Sequence, residues 1–232
     1  MASITVQATD GSGSFSAYLA APANKPTGVV VLIQEIFGVN QAMRDIAAWV
    51  ADLGFIAVCP DLFWRIEPGI DITDKSEAEW KRAFELFNTF DQAKGIEDLK
   101  ATVAAARKLP GANGKVGTMG YCLGGRLAFV MAQQSDADVN VSYYGVGIEN
   151  RVAEAEKLTH PLLMHIAGKD EFFPPEGRAK VVEAVKGHRQ IAAHVYANAD
   201  HAFARVGGVH WDGRAAAIAN GRSAEALVAA LG

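Results

Sequence analysis

A cysteine sits in the run Gly120-Tyr121-Cys122-Leu123-Gly124-Gly125, between a short apolar stretch and a helix-forming one. Glycines two places before and two places after it allow a tight turn in which strand and helix approach closely. This is the spacing of a nucleophile elbow, with a thiol where serine usually stands. A thiol nucleophile needs a base, and the base needs a group to orient it. Asp170 closes Ile166-Ala167-Gly168-Lys169-Asp170, and His201 lies in Asp200-His201-Ala202-Phe203. The order Cys122, Asp170, His201 is that of an elbow hydrolase: nucleophile, acid, histidine. The chemistry expected is acyl transfer through a Cys-His-Asp triad.

Other readings of these residues compete. Free cysteine is most often a buried small hydrophobe. That reading suits Cys59, which ends a strand before Pro60-Asp61 without a glycine frame, better than Cys122. Asp170 could cap a helix beginning near Pro174-Pro175. His165 and His194 lie within strands, His160 precedes Pro161, His188 falls in a charged loop, and His210 lies outside the Asp-His-Ala-Phe junction. No histidine pair has helical ligand spacing with an acid beside it, so no metal is expected.

An oxyanion needs backbone N–H donors. Leu123, directly after the nucleophile at a helix start, offers one, and that helix end also favours a thiolate. The loop Gln34-Glu35-Ile36-Phe37-Gly38-Val39 follows an apolar strand and offers a second at Ile36. Glu35 is an acid at the exit of that strand; it either faces the site or is a loop acid anchored to an arginine such as Arg44.

These residues require a frame. Gly28 to Gln34 is β-branched and unbroken by polar residues, as in strands buried on both faces of a parallel sheet. Similar runs occur at Phe55 to Cys59, Lys115 to Met119, Val139 to Tyr144, Leu162 to Ala167 and, more weakly, Ile191 to Tyr196. Helical stretches intervene at Gln41 to Leu53, Gln92 to Leu109, Leu123 to Gln134 and Pro175 to Lys186, and Ala215 to Leu231 closes the chain. Alternating strands and helices make right-handed crossovers and a mostly parallel sheet, an α/β fold flanked by helices. Ser3 to Ala8 and Ser14 to Leu19 alternate like an antiparallel hairpin. One domain is expected over residues 1–232. A cap-like insertion, around residues 62–90, runs irregularly from Leu62 to Ser76 and then through Glu77 to Phe90.

Half of the 232 residues are hydrophobic and the formal net charge is -4, which argues against a nucleic-acid surface. Apolar runs are too short to span a bilayer, and the start, Met1 to Thr5, has no signal-peptide pattern. Two cysteines make no disulfide framework. A soluble cytoplasmic monomer is the default expectation.

Taken together, the chain resembles the dienelactone hydrolase (carboxymethylenebutenolidase) family of the α/β-hydrolase superfamily. The resemblance rests on Gln34 to Asn40, Cys59 to Leu62, Gly114 to Gly117, Gly120 to Gly125, Tyr143 to Gly147 and His201 to Arg205. It implies that Glu35 contacts the resting thiol and helps generate the thiolate, and that Arg205 holds a substrate carboxylate. The family's second carboxylate-binding arginine falls on Trp80, with Lys81 and Arg82 following. A helix turns about 100° per residue, so neither takes the face of Trp80 without a register shift. The expected substrate-binding set is therefore Arg205, Arg82, Lys81, Trp80 and Phe37.

Thiol chemistry narrows the substrate further. Against an alkyl ester, the thiolate leaves the tetrahedral intermediate more readily than the alkoxide, and the adduct mostly reverts. An enol lactone releases a stabilised enolate and can compete. The expectation is a small carboxylate-bearing enol lactone opened to a keto acid such as maleylacetate, without a cofactor. A broader esterase or thioesterase for activated acyl groups, a non-catalytic binding protein on the same fold and a thiol redox sensor are the alternatives.

Overall fold

Alternation in the first twenty residues produces a hairpin. Strand β1 (Ser3–Gln7) pairs antiparallel with β2 (Ser14–Ala20), with Val6 opposite Phe15. The computed structural model describes residues 2–23, 28–158 and 160–232, so Met1 lies outside the described residues.

The unbroken apolar runs form the centre of the sheet: β3 (Val29–Ile33), β4 (Ile56–Pro60), β5 (Val116–Tyr121), β6 (Val139–Tyr143) and β7 (Leu162–Ala167), with β8 (Ile191–Tyr196) at the edge. The order is β1-β2-β4-β3-β5-β6-β7-β8. All pairings from β4 to β8 are parallel; β2 joins β4 antiparallel. Residues along β3 alternate between two cores. Val29, Val31 and Ile33 face one, and Val30 and Leu32 face the other. Burial of each such side chain contributes about 1.5–3 kcal/mol.

Helices cover both faces: α1 (Gln41–Asp52), α2 (Glu77–Thr89), α3 (Gln92–Ala106), α4 (Leu123–Gln134), α5 (Pro175–Val185) and α6 (Gly213–Leu231). Leu86 of α2, Leu99 of α3 and Leu127 of α4 share one core; Ala47 of α1 and Ala219 of α6 share the other. Side-chain caps fix several starts, with Asn40, Ser76, Asp91 and Asp212 accepting from the first turns of α1, α2, α3 and α6. The cap at Asp212 is why α6 begins two residues before the expected Ala215. The short 3-10 helices Ile148–Asn150 and Val152–Lys157 were not anticipated.

The irregular segment between β4 and α2 is tied down along its length. Asp61 accepts from the N–H groups of Phe63 and Gly69 at 3.0 and 2.7 Å. Trp64 and Arg65 both bond the buried Asp98 of α3. Farther on, Asp71 bridges to Gly38 in the loop after β3, and Asn40 Nδ2 donates to the Ile72 carbonyl at 2.9 Å. Gly38 has φ 77°, and a Cβ there would lie 1.9 Å from the Ile70 carbonyl oxygen. Only glycine lets this loop and the insertion close together. Among the described residues, no helix is long and apolar enough to cross a membrane.

Candidate active site

Cys122 sits between the last residue of β5 and the first of α4, with φ 56° and ψ -112°. Such a backbone costs an ordinary residue about 1–3 kcal/mol and persists only where its surroundings enforce it. Here the glycines enforce it. A Cβ on Gly120 would lie 2.0 Å from the Gly124 carbonyl oxygen, and one on Gly124 would lie 2.1 Å from that of Ile33. A Cβ on Gly125 would meet the Tyr143 oxygen at 2.3 Å. The backbone bond from Cys122 N–H to the Tyr143 carbonyl, 3.1 Å, ties the elbow to β6. The sulfur-bearing residue is 8% exposed and lines a cavity.

Asp170 and His201 reach the same place from the loops after β7 and β8. The Asp170 carboxylate accepts from His201 Nδ1 at 2.8 Å and, through its other oxygen, from the Phe172 N–H at 2.9 Å. Pro174, not Asp170, occupies the cap position of α5. With Nδ1–H committed to Asp170, Nε2 is the nitrogen left for Cys122, which bonds His201 through its side chain. Burial disfavours a charged imidazole, but a negative sulfur at Cys122 and the bond to Asp170 outweigh it, and His201 is pushed up to about 10. Edges and faces of Tyr144 and Phe172 confine the ring, with centroids 5.2 and 5.0 Å away.

The other histidines lie elsewhere. His165 bonds Tyr196 and Ser223 inside the core, and burial pushes it down to about 3. His194 stacks on His165, His188 accepts from the Gln190 N–H, and His210 faces Asp200 at the surface. Cys59 is wholly buried, and burial pushes its thiol far up, as Asp61 does to a lesser degree.

Leu123 opens α4, where the first-turn N–H groups lack intrahelical acceptors. Ile36 follows β3 and lines the cavity. Glu35, beside it, is buried, and both its oxygens are held by Arg205 at 2.7 and 2.9 Å. Its arginine partner is thus Arg205, not Arg44. Arg44 instead bonds Asp71 and the Val39 carbonyl. The resemblance put Glu35 against the thiol; here its carboxylate faces a guanidinium, while the sulfur bonds His201.

Arg205 has a second anion, Asp74, at 2.5 Å from Nη1. The guanidinium also lies 4.9 Å over the Phe37 ring. Burial opposes its charge, but Glu35 and Asp74 hold it protonated. The arginine expected to hold a substrate carboxylate is thus already paired with two carboxylates, which take three of its five N–H groups.

The cavity, of about 130 Å³, is lined by Ile36, Phe37, Trp80, Phe84, Phe87, Cys122, Val146, Phe172, His201 and Arg205. A larger surface cleft, of about 600 Å³, borders Arg44, Asp61 and Asp71 and contains none of the triad positions. Trp80 enters the cavity wall, packing edge-on against Phe37 and face-on against Phe84. Lys81 and Arg82 do not line it, which corrects their inclusion in the substrate-binding set. Lys81 points to solvent, and Arg82 pairs with Glu67 and Glu85 on the outer face of α2. The 100° step from Trp80 carries both side chains away.

Sequence reasoning missed Phe84 and Phe87. Their i+4 and i+7 spacing from Trp80 was the available signal. Tyr144 was also missed. It has φ 36°, and its buried hydroxyl is among the side-chain groups without a hydrogen-bond partner. Burial, with Glu35 nearby, pushes that phenol well above its usual range. Phe172 and the pairing of Asp74 with Arg205 carried no local signal.

The comparisons with known proteins agree with this architecture. The sequence model of the Dienelactone hydrolase family matches residues 15–231. A relative from Azospirillum brasilense, named "Putative carboxymethylenebutenolidase", is 54% identical over 97% of this chain and 96% of its own. The carboxymethylenebutenolidase of Pseudomonas putida is 41% identical, covering 97% of this chain and 94% of its own. A crystal structure from Klebsiella pneumoniae subsp. pneumoniae, described as a "Putative Dienelactone Hydrolase", superposes with a TM-score of 0.81 at 25% identity over 98% of this chain and 99% of that one. With the α/β-hydrolase fold, this match places the chain in the dienelactone hydrolase family, as a carboxylic ester hydrolase of that type.

Proposed function

We propose that this hydrolase opens an activated enol lactone to a keto acid through an acyl intermediate on Cys122. The observation that supports it most is the arrangement of Cys122, in a strained elbow, against a His201 that Asp170 orients. The Cys122 thiolate adds to the lactone carbonyl, and the N–H groups of Ile36 and Leu123 receive the oxyanion. Collapse breaks the ring C–O bond. The departing enolate takes the proton from the His201 imidazolium and settles as the ketone. His201, now neutral, takes a proton from water, and the resulting hydroxide adds to the thioester carbonyl. The sulfur leaves as thiolate and a carboxylic acid is released. Where the lactone itself bears a carboxylate, the product is a keto diacid such as maleylacetate. The chain is read as a cytoplasmic monomer that uses no cofactor.

The test compares an enol lactone with its saturated counterpart, using wild-type protein and Cys122→Ala. The enol lactone should react at least about a hundredfold faster. A single turnover should add the acyl mass to the peptide containing Cys122. Turnover that survives Cys122→Ala, or acyl mass on Cys59 alone, would overturn the mechanism.

A further inference from the structure

We infer that Phe84 and Phe172 form a subsite at the mouth of the cavity for a planar aromatic substituent, so that the preferred enol lactone carries an aryl group in conjugation with its ring. The subsite deepens the hydrolytic reading above and rests on it for the identity of the reacting ring.

The cavity opens where its lining is exposed. Phe37, Cys122, His201 and Arg205 are buried in its interior. Among the described lining residues, Phe84 and Phe172 are the ones that stand well out to solvent, at 40% and 36% exposed. Large apolar side chains exposed singly are ordinary, but two aromatic rings at one opening mark a place for an apolar ligand.

Two aromatic series lead from the interior to that opening. Phe37, at the buried end, meets Trp80 edge-on at 5.1 Å, and Trp80 stacks on Phe84 at 5.6 Å with the planes 30° apart. On the side of the triad, His201 meets Phe172 at 5.0 Å and 79°. Both series are pinned by polar bonds. Trp80 donates Nε1 to the Asp74 carbonyl at 3.0 Å, and the Phe172 N–H bonds the Asp170 carboxylate at 2.9 Å. The i, i+4 spacing keeps Phe84 on the same face of α2 as Trp80. An arriving ring therefore meets π surfaces already in place, and aromatic pairs gain more than the area they bury.

Size decides which part of the substrate goes where. The cavity holds about 130 Å³, and roughly 150 Å³ of apolar space takes one benzene. The lactone ring, whose carbonyl must reach Cys122, fills the interior. A second ring has room only at the mouth, against Phe84 and Phe172. An aryl group on the exocyclic double bond stays coplanar with the lactone and also delocalises the departing enolate, which favours a thiol nucleophile. The subsite makes no demand on Arg205, two of whose five N–H groups are left over from Glu35 and Asp74.

The experiment uses three five-membered enol lactones whose exocyclic double bond ends in phenyl, cyclohexyl or methyl. Calorimetry on Cys122→Ala, which binds without turnover, should give the phenyl form a Kd at least about tenfold below the methyl form and about threefold below the cyclohexyl form. Phe84→Leu and Phe172→Leu, each added to that variant, should cut the phenyl-to-methyl preference at least about threefold. With Cys122 present, the kcat/KM ratio of the two lactones should fall with the same substitutions, because intrinsic reactivity cancels between proteins. If no lactone is hydrolysed, the hydrolytic reading fails, and the calorimetry still decides the subsite. A phenyl preference smaller than either value, or a smaller fall than this in both leucine variants, would overturn the assignment. The comparison of the three lactones is decisive even if the leucine variants do not fold.

Discussion

Cys122, Asp170 and His201 follow the ends of β5, β7 and β8, so the parallel sheet delivers all three to one edge. Trp80 and Phe84 reach the same cavity from one face of α2, and Asp74, in the inserted turn before it, pairs with the Arg205 that lines the wall. The first group is positioned by backbone. Strand register, a positive φ and glycines without room for a side chain leave it little freedom. The second group is positioned by side chains pairing across long stretches of chain. Arg205 lies 131 residues from Asp74 and 170 from Glu35. The triad is thus held by the sheet, and part of the cavity wall by α2.

Substitutions on the two sides should separate these roles. The largest effect is expected at the sheet edge. Asp170→Asn should lower kcat by up to about 10⁴-fold, because His201 loses its orienting acceptor, while the melting temperature changes modestly. A loss below tenfold, with the fold intact, would detach Asp170 from the triad. Next comes Gly124→Ala, whose new Cβ would meet the Ile33 oxygen at 2.1 Å. Denaturant unfolding should show a loss of more than about 4 kcal/mol, since backbone rather than a flexible side chain must yield.

The third prediction concerns protonation. A His201 pKa raised from 6.5 to about 10 means that the protonated ring favours the folded state. That contribution is whole below about pH 6.5 and is lost as pH rises through about 10. Ring nitrogen shifts should still report imidazolium at pH 8, with a midpoint near 10. Cys122→Ala removes the negative neighbour and should move the midpoint down; an unchanged midpoint would assign the shift to Asp170 alone. The smallest effect is expected on the outer face of α2. Arg82→Gln should leave the melting temperature nearly unchanged, as for exposed ion pairs, and kcat/KM within about twofold. A large change in KM there would mean that the outer and inner faces of α2 are not separate.

The same contrast explains what could be read from the sequence. Strand runs, the elbow and the order of Cys122, Asp170 and His201 are local signals with a physical period or spacing, and the structure brings those residues together. Glu35 could be seen as unusual because an acid ended an apolar strand. Its partner could not be seen, since Arg44 is near in sequence and Arg205 is near in space. Trp80 stood out only as a displaced arginine position. Its meaning depended on the turn at Asp74, which no periodicity marks. The sequence contains the acid of that turn but not its direction.

The glycines around Cys122 have a consequence for variation. At Gly120, Gly124 and Gly125, four backbone segments touch where side chains would otherwise stand. Such a knot of main chain has almost no neutral substitutions and leaves little to redesign. The wall formed by Trp80, Phe84 and Phe172 has the opposite character, because Phe84 and Phe172 are partly open to solvent and can be exchanged without moving backbone. A library seeking new lactone or ester preferences should therefore randomise positions 80, 84 and 172 and leave 120–125 untouched.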